Sequence, residues 1–390
     1  MVLNIVPLLL YAQQDTAQVK MRELIANNFL FATRQYKLLI RNVPPEVMPK
    51  TYDVQKNKVI ASDIKWWCSG FYPGTLLYLY EYSRDTAIMT EAVKRLSILE
   101  KEKTYTGNHD LGFMMYCSFG NAYRLTGNAL YKAVIMTSAG SLATRYRPSV
   151  KAIQSWDAST NFKCPVIIDN MMNLELLEWA GHNGGDKRFE EIAANHANTT
   201  LRNHFRPNYS CYHVVDYDPA SGQVIKKRTW QGYSDSSSWS RGQSWALYGY
   251  TMMYRFTKNK TYLQQAKQVA DFILNNRNMP ADKVPAWDFD APDQPEQPKD
   301  ASAAAIMASA LLELGQYTYG KEKTRYINVA EKMLRSLSSS KYRAAYGSNG
   351  GFLLMHSTGA LPFKSEVDVP LTYADYYFLE ALLRYQKWYL

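Results

Sequence analysis

The sequence predicts an all-α fold, an (α/α)6 toroid (six-hairpin barrel) with a small β-hairpin at its mouth. Apolar residues recur at helical spacing in twelve segments. These segments alternate between ones that are charged on one side and ones that are nearly free of charge, as expected for outer and inner helices. An open solenoid of helical hairpins is the alternative, but its inner helices would each keep one wet face, which these segments lack. The candidate helices are 15–41, 70–84, 86–102, 110–126, 128–146, 169–181, 186–205, 241–257, 260–277, 300–318, 322–338 and 371–388.

Short polar turns join neighbouring helices and make them antiparallel pairs. The turn Thr126-Gly127-Asn128 is one example and Tyr319-Gly320-Lys321 is another. A weak internal repeat supports the pairing, because an aromatic residue after the turn is followed four residues later by alanine, as in Phe189 and Ala193. No stretch resembles a linker, so we expect a single domain over residues 15–390.

The first fourteen residues have the features of an incomplete secretory signal. The apolar run Val2 to Leu10 resembles an h-region, yet the first basic residue is Lys20. We therefore expect residues 1–14 to be a leader segment and the protein to be periplasmic or secreted, with a cytoplasmic location as the alternative. No other segment reaches the ~18 uninterrupted apolar residues that a membrane helix needs, so no membrane partner is predicted.

Composition and charge favour a small acidic substrate over a nucleic acid. Lys and Arg number 45 against 35 Asp and Glu, but the excess is spread along the chain, without the basic stripe of nucleic-acid binders. Thirty Tyr and nine Trp are unusually many and suit a wet, concave sugar site. The four cysteines lie far apart, and His182, His196 and His204 have no acidic or cysteine partners at ligand spacing, so neither a disulfide scaffold, a metal nor a cofactor is predicted. A monomer or weak homodimer is expected.

The toroid places the starts of all six inner helices at one mouth, because the inner helices run in the same direction. Each start is polar or aromatic and is not needed for a core, so their convergence predicts a ligand pocket. The starts are 66–71, 108–113, 168–170, 240–245, 299–301 and 366–369.

Asp169 lies where an extended, apolar segment opens a helix. The segment begins at Cys164-Pro165 and the helix continues through Trp179. As an N-cap, the carboxylate would accept backbone N–H bonds that hold its pKa down, whereas burial behind apolar residues would raise the pKa. Only a raised pKa makes Asp169 a proton donor near neutral pH, and both readings are open at this point.

The other polar residues of the mouth suit acid/base chemistry on an anionic sugar. Asp110 and Asp169 are two carboxylates at neighbouring helix starts, and His109 is beside one of them. Taken singly, each aspartate is a common cap. Three tryptophans can form the floor under a sugar ring, although an isolated tryptophan is more often core. They are Trp67, Trp156 and Trp245.

Three further residues are expected to contact substrate. Arg241 can bind a carboxylate through two parallel hydrogen bonds, with a surface salt bridge as the ordinary alternative. His213 lies on an alternating segment that turns through 218–222, which predicts the β-hairpin over the mouth. Gln231 follows that hairpin closely.

These motifs together resemble the unsaturated glucuronyl hydrolases of glycoside hydrolase family 88. The resemblance is correctly spaced over nearly the whole chain from about residue 30. One departure is Cys68, where the family commonly has threonine. The motifs that carry the resemblance are Trp67-Cys68-Ser69-Gly70-Phe71, His109-Asp110-Leu111-Gly112-Phe113, Ile168-Asp169-Asn170-Met171-Met172-Asn173, Trp239-Ser240-Arg241-Gly242-Gln243-Ser244-Trp245 and Tyr373-Ala374-Asp375-Tyr376-Tyr377.

The resemblance implies an (α/α)6 barrel and an unusual hydrolysis. The substrate would be a di- or oligosaccharide ending in a 4,5-unsaturated uronic acid, and water would add across its enol ether. Asp169 looks like the acid and base, and Asp110 like the second essential carboxylate. The remaining matched positions look like substrate contacts: Trp67, His109, Trp156, His213, Gln231, Arg241 and Trp245.

Three other functions stay open on the sequence. An unsaturated rhamnogalacturonyl hydrolase shares fold and chemistry and differs in the leaving sugar. A sugar 2-epimerase would need histidine bases at several inner helices, where this mouth has mainly aspartates. A noncatalytic glycan-binding protein would account for the aromatic residues and the arginine, but two carboxylates would repel its anionic ligand.

Overall fold

Twelve helical stretches make up most of the chain. The computed structural model describes residues 6–294 and 296–390, with side chains from residue 18 onward. The helices are α1 (Val6–Asn42), α2 (Phe71–Ser83), α3 (Thr86–Leu99), a π-helix π1 (Gly112–Gly120) that continues as α4 (Asn121–Thr126), α5 (Ala129–Ala143), α6 (Asn170–His182), α7 (Arg188–Asn203), α8 (Ser240–Thr257), α9 (Lys260–Leu274), α10 (Ala301–Gln316), α11 (Gly320–Leu337) and α12 (Thr372–Tyr389).

Six of these stretches form a closed inner ring. In chain order α2, π1, α6, α8, α10 and α12 each contact the next, and α12 contacts α2. Each packs on an outer helix, as α8 does on α9 and α10 on α11. The ring confirms the predicted (α/α)6 toroid and excludes the open solenoid.

The predicted alternation of buried and half-exposed helices is also present. Every residue of α10 from Ala301 to Gly315 is buried, since this helix has neighbours on all sides. In α11 the buried residues form a single stripe, which includes Tyr326 and Ala330 from the predicted repeat. The inner helices carry few charges because they are buried on all sides.

Several helix boundaries differ from the prediction by a few residues, and two of them change the element itself. The first helix begins at Val6 instead of residue 15, so the backbone of residues 6–14 continues α1. The predicted leader, residues 1–14, lies partly outside the described residues and stays a prediction. The third helix ends at Leu99, where a 3-10 turn of residues 100–104 replaces its last predicted turn.

The strands are short and lie at the loops. They are β1 (Met48–Asp53), β2 (Lys58–Ser62), β3 (Tyr146–Arg147), β4 (Ala152–Ile153), β5 (Pro165–Ile167), β6 (Val214–Tyr217), β7 (Val224–Arg228), β8 (Ser357–Ala360) and β9 (Ser365–Val369). The predicted hairpin is β6–β7, and β5 adds to it as a third, antiparallel strand. This sheet holds the extended segment that leads into α6.

Hairpins β1–β2, β3–β4 and β8–β9 were not predicted. In β9, Glu366 and Asp368 have φ of 56° and 55°, a left-handed conformation that side chains other than glycine rarely adopt. Residues 366–369 belong to this strand, and α12 begins only at Thr372. The prediction that 366–369 start the last inner helix is therefore wrong. The four cysteines are free thiols. Across the described residues, the helices lack a stretch that is long and apolar enough to span a bilayer.

Candidate active site

Asp169 does not cap the helix that it precedes. Its backbone already has helical dihedral angles, φ −55° and ψ −30°, and its carboxylate accepts no capping hydrogen bond. Oδ2 is buried and has no hydrogen-bond partner among the described residues, with Nε2 of His213 3.7 Å away. The N-cap reading of Asp169 is therefore wrong, and the buried reading applies.

Burial raises the pKa of Asp169 to about 7, from an ordinary value of 3.8. The nearby guanidinium of Arg241 opposes this increase, the carboxylate of Asp110 adds to it, and the indole of Trp245 opposes it. Asp110 is thus close enough for its charge to affect Asp169. A carboxyl group with this pKa is present in both protonation states at neutral pH, as a general acid and base requires.

Asp110 is freed from capping by a neighbour. The side chain of Asn108 accepts the backbone N–H of Asp110 at 2.9 Å, which leaves the carboxylate to face the mouth. Burial raises its pKa to about 7, while the Asn173 side chain and the charge of Arg145 oppose this increase. Nε2 of His109 lies 3.4 Å from Oδ1 of Asp110. The π-helix π1 starts two residues later, and such segments are frequent at functional sites.

His213 is held as one tautomer. Its Nδ1 accepts the backbone N–H groups of Trp230 and Gln231, both at 3.1 Å, so the ring proton is on Nε2, which faces Asp169. Burial lowers the pKa of His213 to about 3, and the charge of Arg241 lowers it further. His213 is therefore a neutral hydrogen-bond donor toward Asp169 at neutral pH. Burial likewise lowers the pKa of His109 to about 3.

Arg241 is buried and bound by the protein itself. Its Nη1 contacts Asp300 at 2.7 Å and donates to the carbonyl of Thr358 at 2.6 Å, while Nη2 donates to the carbonyl of Gly359 at 2.5 Å. The contact from Nη2 to Oε1 of Gln231 is longer, 3.4 Å. We expected two parallel hydrogen bonds to a substrate carboxylate, but these partners occupy both terminal nitrogens, so that role stays a prediction.

The aromatic residues form a layer below the two aspartates. Trp67 packs against Phe113 and Tyr373 at centroid distances of 5.5 and 4.9 Å, and Phe113 packs against Trp245 at 5.1 Å. Trp67 is half-buried, whereas Trp245 is completely buried. Trp67 can present a face to a sugar ring, but Trp245 offers its unpartnered indole N–H beside Asp169.

Trp156 lies at the rim, on the side of the three-stranded sheet. Its ring packs edge-on against Phe162 at 5.4 Å. The adjacent Ser155 ties it to the site, since the carbonyl of Ser155 accepts the His109 N–H at 3.1 Å and its hydroxyl accepts the Ile167 N–H at 3.0 Å. The structure thus brings all nine predicted site residues to the same mouth.

Three residues of the site lie in motifs or helix starts named from the sequence, but no role was predicted for them. Asn173 lies one turn after Asp169; its Oδ1 accepts the Phe113 N–H at 2.9 Å and its unpartnered Nδ2 is directed to the Asp110 side. Asp300 holds Arg241, and the hydroxyl of Tyr373 is buried without a partner. The i+4 spacing from Asp169 could have indicated Asn173, because such residues share a helix face.

Several unpartnered polar atoms converge at this mouth. Buried polar groups are nearly always hydrogen-bonded, so a cluster that is not indicates a binding site for a polar ligand. Together with two carboxyl groups of pKa about 7, the cluster can give and take protons on a bound polar molecule. Within the part of the chain that the structure describes, the atoms without a partner are Asp169 Oδ2, His109 Nδ1, Asn173 Nδ2, Trp245 Nε1 and the Tyr373 hydroxyl.

Comparison with known proteins gives close relatives over nearly the whole chain. The model of Glycosyl Hydrolase Family 88 matches residues 39–388. An unsaturated glucuronyl hydrolase of Formosa agariphila is 46% identical over 91% of this chain and 88% of its own. The crystal structure of an unsaturated glucuronyl hydrolase specific for heparin matches with a TM-score of 0.91 and 44% identity, covering 94% of this chain and 97% of the other.

A third relative contains a ligand. A mutant unsaturated glucuronyl hydrolase from Streptococcus agalactiae, complexed with dGlcA-GalNAc6S, matches with a TM-score of 0.80 and 30% identity over 94% of this chain and 92% of the other. Sequence, fold and the paired buried aspartates agree. The chain belongs to glycosyl hydrolase family 88, within its unsaturated glucuronyl hydrolases.

Proposed function

We propose that the chain removes a 4,5-unsaturated uronic acid from the nonreducing end of lyase-generated oligosaccharides by hydrating its C4=C5 enol ether. The observation that carries the proposal is the pair Asp110 and Asp169, two buried carboxyl groups at one mouth whose pKa values are both about 7. A proton donor and acceptor with such a pKa suits protonation of an alkene carbon near neutral pH.

Each step can be assigned to groups at the mouth. Protonated Asp169 gives its proton to C4, and a water molecule bonds through its oxygen to C5. The second proton of that water returns to Asp169, which restores the starting state. The resulting hemiketal opens with cleavage of the C5–O5 bond, and C1 then releases the neighbouring sugar as an alcohol and becomes an aldehyde. The net reaction consumes one water.

The surrounding residues support binding and charge control in this scheme. The N–H of His213 Nε2, 3.7 Å from Asp169, can stabilise the carboxylate that forms when the proton leaves. The cation of Arg241 favours the uronate carboxylate near C5, and its long contact to Gln231 is the one that a bound carboxylate can most easily replace. Trp67 provides the accessible aromatic face at the mouth.

The leaving sugar is proposed to come from a glycosaminoglycan. The relatives support this choice, because one is specific for heparin and another holds dGlcA-GalNAc6S. The test is to follow the loss of the conjugated uronate's ultraviolet absorbance with a panel of lyase products from heparin, chondroitin and pectin. We expect turnover of glycosaminoglycan products. Turnover of the pectin product alone would favour a rhamnogalacturonyl hydrolase, and no turnover of any product would refute the proposal.

A further inference from the structure

The barrel has a second cavity at the end opposite the aspartates. Its volume is about 1010 Å³, at the upper end of the ~300–1,000 Å³ of ligand pockets. Its wall follows the inner helices from Phe113 in π1 to Arg124 in α4, about 16 Å at ~1.5 Å per residue. It opens where the inner helices end, near Trp388 of α12. We call it the base cavity.

The base cavity is lined with aromatic side chains that also carry polar groups. Tyr116 and Tyr123 pack on Trp179, with ring centroids 6.1 and 5.4 Å apart, and Tyr376 and Tyr377 form a second group 5.0 Å apart. Aromatic faces next to hydroxyl and indole donors are the surfaces that sugar rings bind, apolar on one side and polar at the edge. Protein interiors are close-packed and contain few voids larger than a water molecule, so a space of this size is unusual in a core.

The buried charges of the base cavity already have partners. Arg384, whose side chain is about nine-tenths buried, contacts Glu313 at 3.0 Å. Arg255 contacts Glu175 at 2.8 Å. A charged ligand would have to separate such a pair and leave a buried charge uncompensated, which is costly. The deep part of the wall therefore favours a neutral ligand, whereas the exposed Arg84 and Lys387 lie at the open end.

Glu380 completes this network at the centre of the barrel. Its carboxylate accepts hydrogen bonds from the hydroxyls of Tyr78 at 3.0 Å and Tyr248 at 3.1 Å, and Arg384 lies 3.6 Å away. Oriented carboxylate, guanidinium and phenol groups can each exchange hydrogen bonds with sugar hydroxyls without a change of charge.

We propose that the base cavity is a second saccharide site, which binds a neutral, hydroxyl-rich sugar of about disaccharide size. It differs from the mouth in both charge and position. The mouth has a buried oxygen of Asp169 without a hydrogen-bond partner among the described residues, close to one arginine, whereas the charges deep in the base cavity are paired. Phe113 separates the two sites, because its ring lines the base cavity and packs beneath Trp67 at the mouth.

Binding of maltose and N,N′-diacetylchitobiose, two neutral disaccharides without a uronate, tests the proposal. The measurements are isothermal titration calorimetry and saturation-transfer NMR on the whole protein, which do not depend on turnover. We expect binding in the millimolar range. Trp179→Ala should weaken it about tenfold or more, and Trp388→Ala, at the rim of the cavity, serves as the second variant if the first does not fold.

The matched control is Trp67→Ala at the mouth, which should leave disaccharide binding unchanged. Trp388→Ala should in turn keep the turnover of the unsaturated substrate. Absence of binding by both disaccharides would overturn the proposal, as would binding that Trp67→Ala abolishes and both base variants retain. If the wild-type protein does not turn over any unsaturated substrate, the proposed function is refuted. The second saccharide site is still tested in that case, because disaccharide binding is measured without turnover.

Discussion

Two aspartates precede inner helices at the mouth, and the structure uses them in opposite ways. Asp300, before α10, accepts the backbone N–H groups of Ser302 and Ala303 at 3.1 and 3.3 Å and pairs with Arg241 at 2.7 Å. Asp169, before α6, makes no capping bond, and its Oδ2 has no hydrogen-bond partner among the described residues.

The difference arises from the backbone. Asp300 has φ −124° and ψ 87°, so its side chain can reach forward to the free N–H groups of α10, as an N-cap does. Asp169 already has helical dihedral angles, which turn its carboxylate away from those groups and toward the mouth. An aspartate before a helix is therefore structural or chemical according to the dihedral angles of that single residue.

The largest expected effect is on turnover at Asp169. Asp169→Asn removes the group that gives and takes the proton but keeps its shape, so we expect kcat to fall by ~10²–10⁴-fold or more while substrate binding is retained. Absorbance kinetics measure the first and calorimetry the second. An Asp169→Asn protein with wild-type kcat would show that Asp169 is not the general acid and base, and the contrast with Asp300 would fail.

The second effect is on stability at Asp300. Asp300→Ala leaves Arg241 buried without its carboxylate and uncaps α10, so we expect a loss of about 3–5 kcal/mol in the free energy of unfolding. Urea denaturation monitored by circular dichroism measures it. Since Arg241 acts on Asp169, activity should fall too, and a variant that is as stable as the wild type would show that Asp300 is not the structural member of the pair.

The fold was largely predictable because its signals are local. Charged segments such as 322–338 alternate with nearly uncharged ones such as 300–318, which indicates helices buried on one side and helices buried on all sides. Twelve helices that alternate in this way can pack in only a few ways. The short strands could not be predicted in the same way. Strand β9, for example, contains Glu366 and Asp368 in a left-handed conformation that no residue pattern indicates.

The members of the site were predictable as well, but not what each contacts. Motif spacing brought Asp110, Asp169 and Arg241 to one mouth. Whether Arg241 meets a substrate or Asp300 depends on side chains that are 59 residues apart in the chain. Nor does a local pattern reveal that the Asn108 side chain accepts the backbone N–H of Asp110. These choices are made by packing between helices, which the sequence of one helix does not contain.

A smaller effect, on the pH dependence of stability, distinguishes Asp169 from Asp300. A pKa raised to about 7 means that folded protein binds more protons at Asp169 than unfolded protein between pH 3.8 and 7, so this carboxyl group lowers stability as pH rises through that range. Asp169→Asn should therefore match the wild type near pH 4 and be more stable at pH 8. We expect a difference of up to about 4 kcal/mol at pH 8, which is what a pKa difference of this size represents.

Thermal and urea unfolding of both proteins at the two pH values measure this stability difference. Asp300→Asn serves as the control, since it breaks an ion pair and should destabilise the protein at pH 8. A difference for Asp169→Asn that is the same at pH 4 and pH 8 would contradict the raised pKa.

The smallest effect concerns the donor that faces Asp169. His213→Asn can keep an acceptor for the N–H groups of Trp230 and Gln231 but loses the donor at Nε2, whereas His213→Gln can reach the position of Nε2 with its amide N–H. We expect His213→Asn to have about tenfold lower kcat/KM than His213→Gln. Because a lost donor disfavours the carboxylate, the alkaline limb of the pH profile should also move to higher pH in His213→Asn. Equal losses and unshifted profiles in both variants would show that His213 only holds the loop and does not affect the pKa of Asp169.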